Sequence, residues 1–249
     1  YKKENSFSST AFSVFVYENG NYKQVNSPCG ATTYHTIYLK TSETEVDVLN
    51  SQVAKNLIKT THEEYFSRFN KYFGDTVEGF FTDEPQYFRY QTPFSFELEK
   101  ELSIDIKSNL IWLFVQDERG YPFRVKYYTA LNRLYTLNYY KVIYDWCEEH
   151  GVKLTGHTVE EPHLYTQMWC SAGAMPSYKY SHVPGIDHLC KHTDGTIEMK
   201  QVSSVASQLK KPAVLTESFG CSGLEVNPRR LKFLLERQYV NGINYLVYH

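Results

Sequence analysis

The spacing of hydrophobic positions changes along the chain. Over residues 1–42 they come in short runs. "AFSVFVYENGNYKQV" is an apolar run, then Asn19-Gly20, then a second run, which predicts a β-hairpin closed by a tight turn. "TIYLKTS" predicts a further strand. From Val46 the period lengthens. Leu49, Val53, Leu57, Tyr65 and Phe69 recur on one helical face as far as Phe73, and Gly74 is a natural stop. Beyond it, short apolar segments that end in polar groups alternate with helical ones: "VEGFFTDEP", "VKLTGHTVEEP", "PGIDHL", "KPAVLTESFG" and "INYLVYH". A long helix from about Arg124 to His150, closed by Gly151, lies between the first two. Asn227-Pro228 reads as the N-cap and first residue of a helix over 229–241 that ends near Gly242.

The polar strand ends fall at Asp83, His157, Asp187, Glu217 and His249. Asp187 follows His157 by 30 residues, Glu217 follows Asp187 by 30, and His249 follows Glu217 by 32. A strand, a helix and two loops fill about that length. Apolar strands alternating with helices predict a parallel sheet. Acids and histidines at the C-terminal strand ends predict a (β/α)8 TIM-type barrel with its site at that face. Five strands fall short of eight. Taken as consecutive and last, they are the fourth to eighth strands of a partial barrel. Residues 1–42 are then a β-rich hairpin or insertion segment, and 43–249 the partial (β/α) barrel catalytic domain. The competing reading has residues 1–42 supply the missing strands in degenerate form. A doubly wound open sheet fits less well, since no Gly-rich phosphate loop follows the first strand.

Composition narrows the function. The 249 residues carry 26 basic and 28 acidic side chains, 42% hydrophobic and 22% charged residues, an ordinary globular balance. No net field favours nucleic acid, and no apolar run reaches the length of a membrane span. The five cysteines, Cys29, Cys147, Cys170, Cys190 and Cys221, are odd in number and lack C-x-x-C spacing, which reads as reduced and structural. The chain opens on Tyr1, with neither Met nor signal peptide, and reads as a processed or excised piece. Compartment and oligomeric state are not legible. Aromatics reach 16%, with 22 Tyr and 15 Phe, and aromatic faces suit sugar stacking.

Two strand-end carboxylates are what glycosidic bond cleavage requires, one donating a proton to the leaving oxygen and one activating water or attacking carbon. "TDEP" places Asp83 and Glu84 at one strand end, and "LTES" places Glu217 at another. The plain alternative is that such acids cap the following helices. His157 is suited to bind a sugar hydroxyl or hold a carboxylate. Of Glu160 and Glu161, one is expected inward and one in solvent. Asp187 and His249 end further strands. His188 and His192 follow Asp187, but no H-x-H or H-E-x-x-H spacing supports a catalytic zinc. Ser218 and Cys221 lack the G-x-S-x-G elbow. Tyr165, Trp169 and Tyr178 are candidates for a sugar platform, whereas Trp146 on the long helix reads as core.

"GFFTDEP", the Trp-Cys pair before "HGVKLTGH", "EEPHLYTQ", "PGID", "LTESFG" and "QYVNGIN", in that order, resemble glycoside hydrolase family 106, the α-L-rhamnosidase-type enzymes. The resemblance runs from about residue 46 to 249. It implies a catalytic barrel, cleavage of a terminal α-L-rhamnoside or related deoxy-sugar with inversion, a carbohydrate substrate, and a calcium ion (Ca2+) near the sugar, with Glu161 and Asp187 as candidate ligands. Glu84 and Glu217 take the catalytic positions, and Glu161 fits the "GH-x-x-x-E" element. Asp83, His157, Glu161, Asp187 and His249 are then expected to bind substrate. Departures from the family pattern fall at Leu224, Arg237 and Tyr248, and bear on the sugar more than on the reaction class. The alternative is a non-catalytic carbohydrate-binding protein on a degenerate barrel.

Overall fold

The computed structural model describes residues 1–43, 45–87 and 91–249, which fold as two units. The first comprises Tyr1–Val46 with Thr92–Leu131, and the second Asp47–Gln91 with Asn132–His249.

In the first unit, strands β1 (Lys2–Glu4), β2 (Ser13–Glu18), β3 (Asn21–Gln24) and β4 (Tyr34–Ile37) form an antiparallel sheet in the order β1-β4-β2-β3. The expected hairpin is β2–β3. Asn19 and Gly20 both take positive φ, 49° and 80°, which matches the twist of a two-residue turn. Ser13, Val14, Phe15 and Val16 are all buried, so β2 is covered on both faces and its alternation is lost. Val14, Val16 and Tyr34 form one core. The 3-10 segment Lys107–Leu113 packs against the sheet, and Ser13 Oγ donates to the Lys107 carbonyl at 3.2 Å.

In the second unit, β5 (Gly79–Thr82), β6 (Lys153–Gly156), β7 (Val183–His188), β8 (Leu215–Ser218) and β9 (Tyr245–Tyr248) lie parallel, in sequence order. The polar strand ends thus share one edge of the sheet. Asp187 is the register partner of Glu217, and Glu217 that of Val247. The helix Ile197–Gln208 lays Met199, Val202, Val205 and Ala206 against Ile186, Val214 and Ile243. The helix Pro228–Val240 is capped by Asn227, whose side chain accepts from Arg230 N, and its buried Gln238 donates to Ser218 Oγ at 2.9 Å. Among the described residues, no helix is long and apolar enough to cross a membrane.

The (β/α)8 barrel class is corrected by this architecture. The parallel strands number five among the described residues, they curl as a half-barrel, and β5 and β9 are unpaired edges. Residues 92–131, which fall in the stretch read as barrel helices, belong to the antiparallel unit. The fold is mixed: a four-stranded antiparallel sheet and a five-stranded parallel one. The expected helical face over 49–69 also changes. The helix Ser51–Leu57 passes through a π-turn, Ile58–His62, into Glu63–Phe69. That turn resets the helical phase, so Ile58 and His62 are buried while Tyr65 and Phe69 are 50% and 42% exposed.

Gly156 ends β6 at φ 127°, and a Cβ there would run into the Thr82 carbonyl of β5. Only glycine allows that approach, and it fixes the backbone that presents His157. Gly156→Ala is expected to cost about 3 kcal/mol or more, from the sparsely allowed φ and the clash. Urea unfolding checks it, and an unchanged midpoint contradicts it.

Candidate functional site

The site is built on the residues that end the parallel strands. β5 stops at Thr82, so Asp83 and Glu84 are free of strand alternation. Asp83 turns towards β6, and Glu84 takes φ 44° and turns into a cleft. His157 is 2% exposed, and its backbone N–H donates to the Thr82 carbonyl at 3.2 Å. The His249 N–H extends the β8–β9 ladder by donating to the Ser218 carbonyl at 2.9 Å.

His157 joins two of these ends. Its Nδ1 is 2.9 Å from the Thr158 carbonyl. A carbonyl only accepts, so Nδ1 carries a proton. Nε2 then faces Glu217 Oε2 at 3.1 Å and Asp83 Oδ1 at 3.4 Å. A lone pair aimed at two carboxylates repels both, whereas an imidazolium N–H attracts both. Burial alone lowers the His157 pKa, but the charges of Glu161 and Asp187, the Thr158 carbonyl and Glu217 together raise it above its ordinary value. Glu217 Oε1 lies 4.0 Å from His249 Nε2.

Glu161 is the buried one of its adjacent pair, at 1% exposure. Its Oε1 accepts from Thr158 N at 3.0 Å, Thr158 Oγ1 at 2.9 Å and the Tyr178 hydroxyl at 3.1 Å. Its Oε2 accepts from the backbone N–H of Asp187 at 2.9 Å. Burial outweighs these donors and pushes its pKa up to about 7. Asp187 rises to about 6, first by burial and then by the charges of Glu217, Glu84 and Asp83, against the opposing pull of His157.

A cleft of about 360 Å³ opens here, lined by Glu84, Glu161, Asp187, His188 and Glu198 and walled by Val159, Pro162 and Leu189. Glu84 therefore shares a cavity with Glu161 and Asp187, while Glu217 joins Asp83 and His157. Non-glycine residues in left-handed backbone gather in the loops after successive strands: Glu84 after β5, Glu160 after β6, Cys190 after β7, and Phe219 and Cys221 after β8. Such conformations persist where surrounding structure imposes them, often at working sites. Gly220 lies among them, where a Cβ would stand 2.7 Å from His249 Nδ1.

The sequence reading missed Glu198. It lies on the helix Ile197–Gln208, beyond the strand end, and no motif marks it. Of the platform candidates, Tyr178 is buried on Glu161, while Trp146 is core as expected, donating to Glu63 at 2.6 Å. Tyr165 and Trp169 pair edge to face at 4.5 Å on the helix Leu164–Cys170, with Tyr165 exposed. Cys147 and Cys170 are buried, while Cys29 and Cys221 are exposed and so are not core residues.

The residues expected to hold calcium do not fit it. Both oxygens of Glu161 already accept hydrogen bonds, four in all. Asp187 brings a buried Oδ1 without a partner, and its two oxygens are few against the six to eight that the ion takes. The cluster with metal-ligand spacing, Asp83, His157 and Glu217, includes an imidazole nitrogen, which suits transition metals rather than calcium.

No family model and no curated protein matches the chain. Among solved structures it is similar in fold to a rhamnosidase from Novosphingobium sp. PP1Y, with a TM-score of 0.62 and 20% identity over 90% of this chain. The chain spans 22% of that protein's length. At that identity the likeness concerns the fold.

The raised groups set a pH dependence. Between the unfolded and folded pKa values of a raised acid, the unfolded chain releases its proton while the folded chain retains it, so stability falls as pH rises. For Glu161 the window runs from 4.5 to about 7, and for Asp187 from 3.8 to about 6. The raised His157 acts in the same direction, since its contribution is lost as pH rises through its folded pKa. The protein is expected to melt at a higher temperature near pH 5 than near pH 8, with Glu161 contributing on the order of 3 kcal/mol. A melting profile that rises steadily from pH 5 to pH 8 would contradict the assignment.

Proposed function

We propose that this protein is a glycosidase that removes a terminal α-L-rhamnoside, or a related deoxy-sugar, by a single inverting displacement. The observation that carries the reading is one edge of a parallel sheet on which Glu84, Glu161, Asp187 and Glu217 gather around the buried His157. The likeness in fold to a rhamnosidase and the ordered motifs from residue 46 onward support it. A sugar-binding protein without turnover needs no acid–base pair, and its affinity would survive loss of either Glu84 or Glu217.

The roles follow from what each carboxylate touches. Glu217 Oε2 is anchored by His157, which leaves Oε1 to take a proton from the attacking water. Glu84 lines the cleft and gives its proton to the leaving oxygen. Water adds to the anomeric carbon as the bond to the leaving oxygen breaks, and the proton that Glu217 takes from the water balances the one that Glu84 gives to the leaving oxygen. Inversion leaves room for that water, with the carboxyl groups roughly 6.5–9.5 Å apart. His157 is a positioning residue, and Asp83, Glu161, Asp187 and His249 complete the substrate surroundings.

Aryl α-L-rhamnosides are the test. The first-formed product anomer, followed by NMR, is expected to be inverted. Glu84→Gln and Glu217→Gln are each expected to lose at least about 100-fold in kcat on a poor leaving group. A 2,4-dinitrophenyl leaving group, which needs no proton, should restore most of the rate to Glu84→Gln and little to Glu217→Gln. The opposite pattern exchanges the two roles, and a retained anomer refutes the single displacement.

A further inference from the structure

Among the described residues, five buried side-chain atoms have no hydrogen-bond partner, and two of them are carboxylate oxygens: Asp187 Oδ1 and Glu198 Oε2. Both residues line the same cleft. Glu198 has no part in the displacement above. It stands in the first turn of the helix Ile197–Gln208, 2% exposed. Its Oε1 lies 3.7 Å from His188 Nδ1. His188 is itself held, since its Nε2 donates to the His192 carbonyl at 3.0 Å. Arg237 acts on Glu198 only through space, its guanidinium being turned to the Gly195 carbonyl and the Met199 sulfur. Burial pushes the Glu198 pKa up, but His188 and the helix N–H outweigh it and hold the carboxyl below its ordinary range. A carboxylate with one oxygen 3.7 Å from a histidine nitrogen and the other buried without a donor is costly.

Two such oxygens in one cleft call for donors brought by a ligand. Among the described residues, the side chains clustered closely enough to hold a metal ion are Asp83, His157 and Glu217, and neither Asp187 nor Glu198 is in that group. The walls supplied by Val159, Pro162 and Leu189 are apolar. Hydroxyl donors along one edge and an apolar face are the surface of a pyranose ring. We propose that Asp187 Oδ1 and Glu198 Oε2 accept hydrogen bonds from two hydroxyls on one edge of the bound sugar, and that Glu198 thereby decides which sugar the cleft admits. The inference rests on the glycosidase reading and assigns a specificity residue within that same site.

The test removes hydroxyls from the ligand first. Binding of L-rhamnose and of its 2-deoxy, 3-deoxy and 4-deoxy forms to the unaltered protein is measured by calorimetry or ligand-observed NMR. A site built to accept a hydroxyl rejects the analogue that lacks it. Loss of the hydroxyl that meets a carboxylate is expected to weaken binding roughly tenfold to a hundredfold, for two of the three analogues. Glu198→Gln, checked for folding by its melting curve, should weaken L-rhamnose by a similar factor. The same substitution should leave unchanged the one analogue that already lacks the contacted hydroxyl. Equal binding of all four sugars overturns the proposal while leaving the glycosidase reading intact. Absence of both sugar binding and hydrolysis removes the two together. Titration with calcium chloride alone, giving binding that Glu198→Gln abolishes, would make the cleft a cation site and also overturn the proposal.

Discussion

The mouth of the parallel sheet depends on one buried carboxylate. Glu161 leaves solvent at a cost of several kcal/mol for its charged form, and four donors offset part of that cost. Three of the donors, Thr158 N, Thr158 Oγ1 and Tyr178, close the loop after β6 on itself. The fourth, Asp187 N, ties that loop to β7. The Asp187 side chain is therefore presented by a backbone that Glu161 fixes. The same charge raises the His157 pKa, and His157 holds Glu217 and Asp83. Removing Glu161 leaves buried N–H groups without acceptors and takes away the charge that favours the imidazolium.

Much of this arrangement is legible in the sequence, and the limits are physical. Equal intervals between Asp187 and Glu217 identify strands in parallel register because one helical crossover fills that length, and the two residues are register partners. The Asn19-Gly20 hairpin is legible because the turn needs positive φ at both positions. The fold class is not legible, because local periodicity carries no information on whether a sheet closes. The stretch 92–131 has helical spacing that suits a crossover as well as it suits packing on an antiparallel sheet. The π-turn over 58–62 escapes the pattern because one added residue per turn shifts the buried face without changing composition. Glu198 escapes because it lies outside every strand-end motif, and only the packed structure encloses it.

Strain and chemistry coincide at the strand ends. Glu84, Glu160, Cys190, Phe219 and Cys221 hold left-handed backbone that glycine adopts more readily, at about 1 kcal/mol or more each. A chain selected for stability alone would place glycine there. At Glu84 the side chain that the strained backbone carries lines the cleft. The cost is tolerable because the supporting elements are firmly packed: Ile186 and Met199 are fully buried beneath the site, and Ser218 is tied to Gln238 behind it.

The carboxyls here are set apart by their surroundings rather than by their type. Glu161, fully buried, titrates near 7, and Asp187, partly buried among other carboxylates, near 6. Glu198, beside His188 and at a helix N-terminus, is held below the ordinary range. Around neutral pH Glu161 therefore still holds a proton part of the time, while Glu198 stays charged. His157 is the counterweight. Its second proton is favoured only while Glu161, Asp187 and Glu217 surround it, so the charge that anchors Glu217 is made by the very acids that would otherwise repel it. Glu161 and Asp187 act on His157 through their charge and Glu217 through a hydrogen bond, so three acids from the ends of β6, β7 and β8 share one partner.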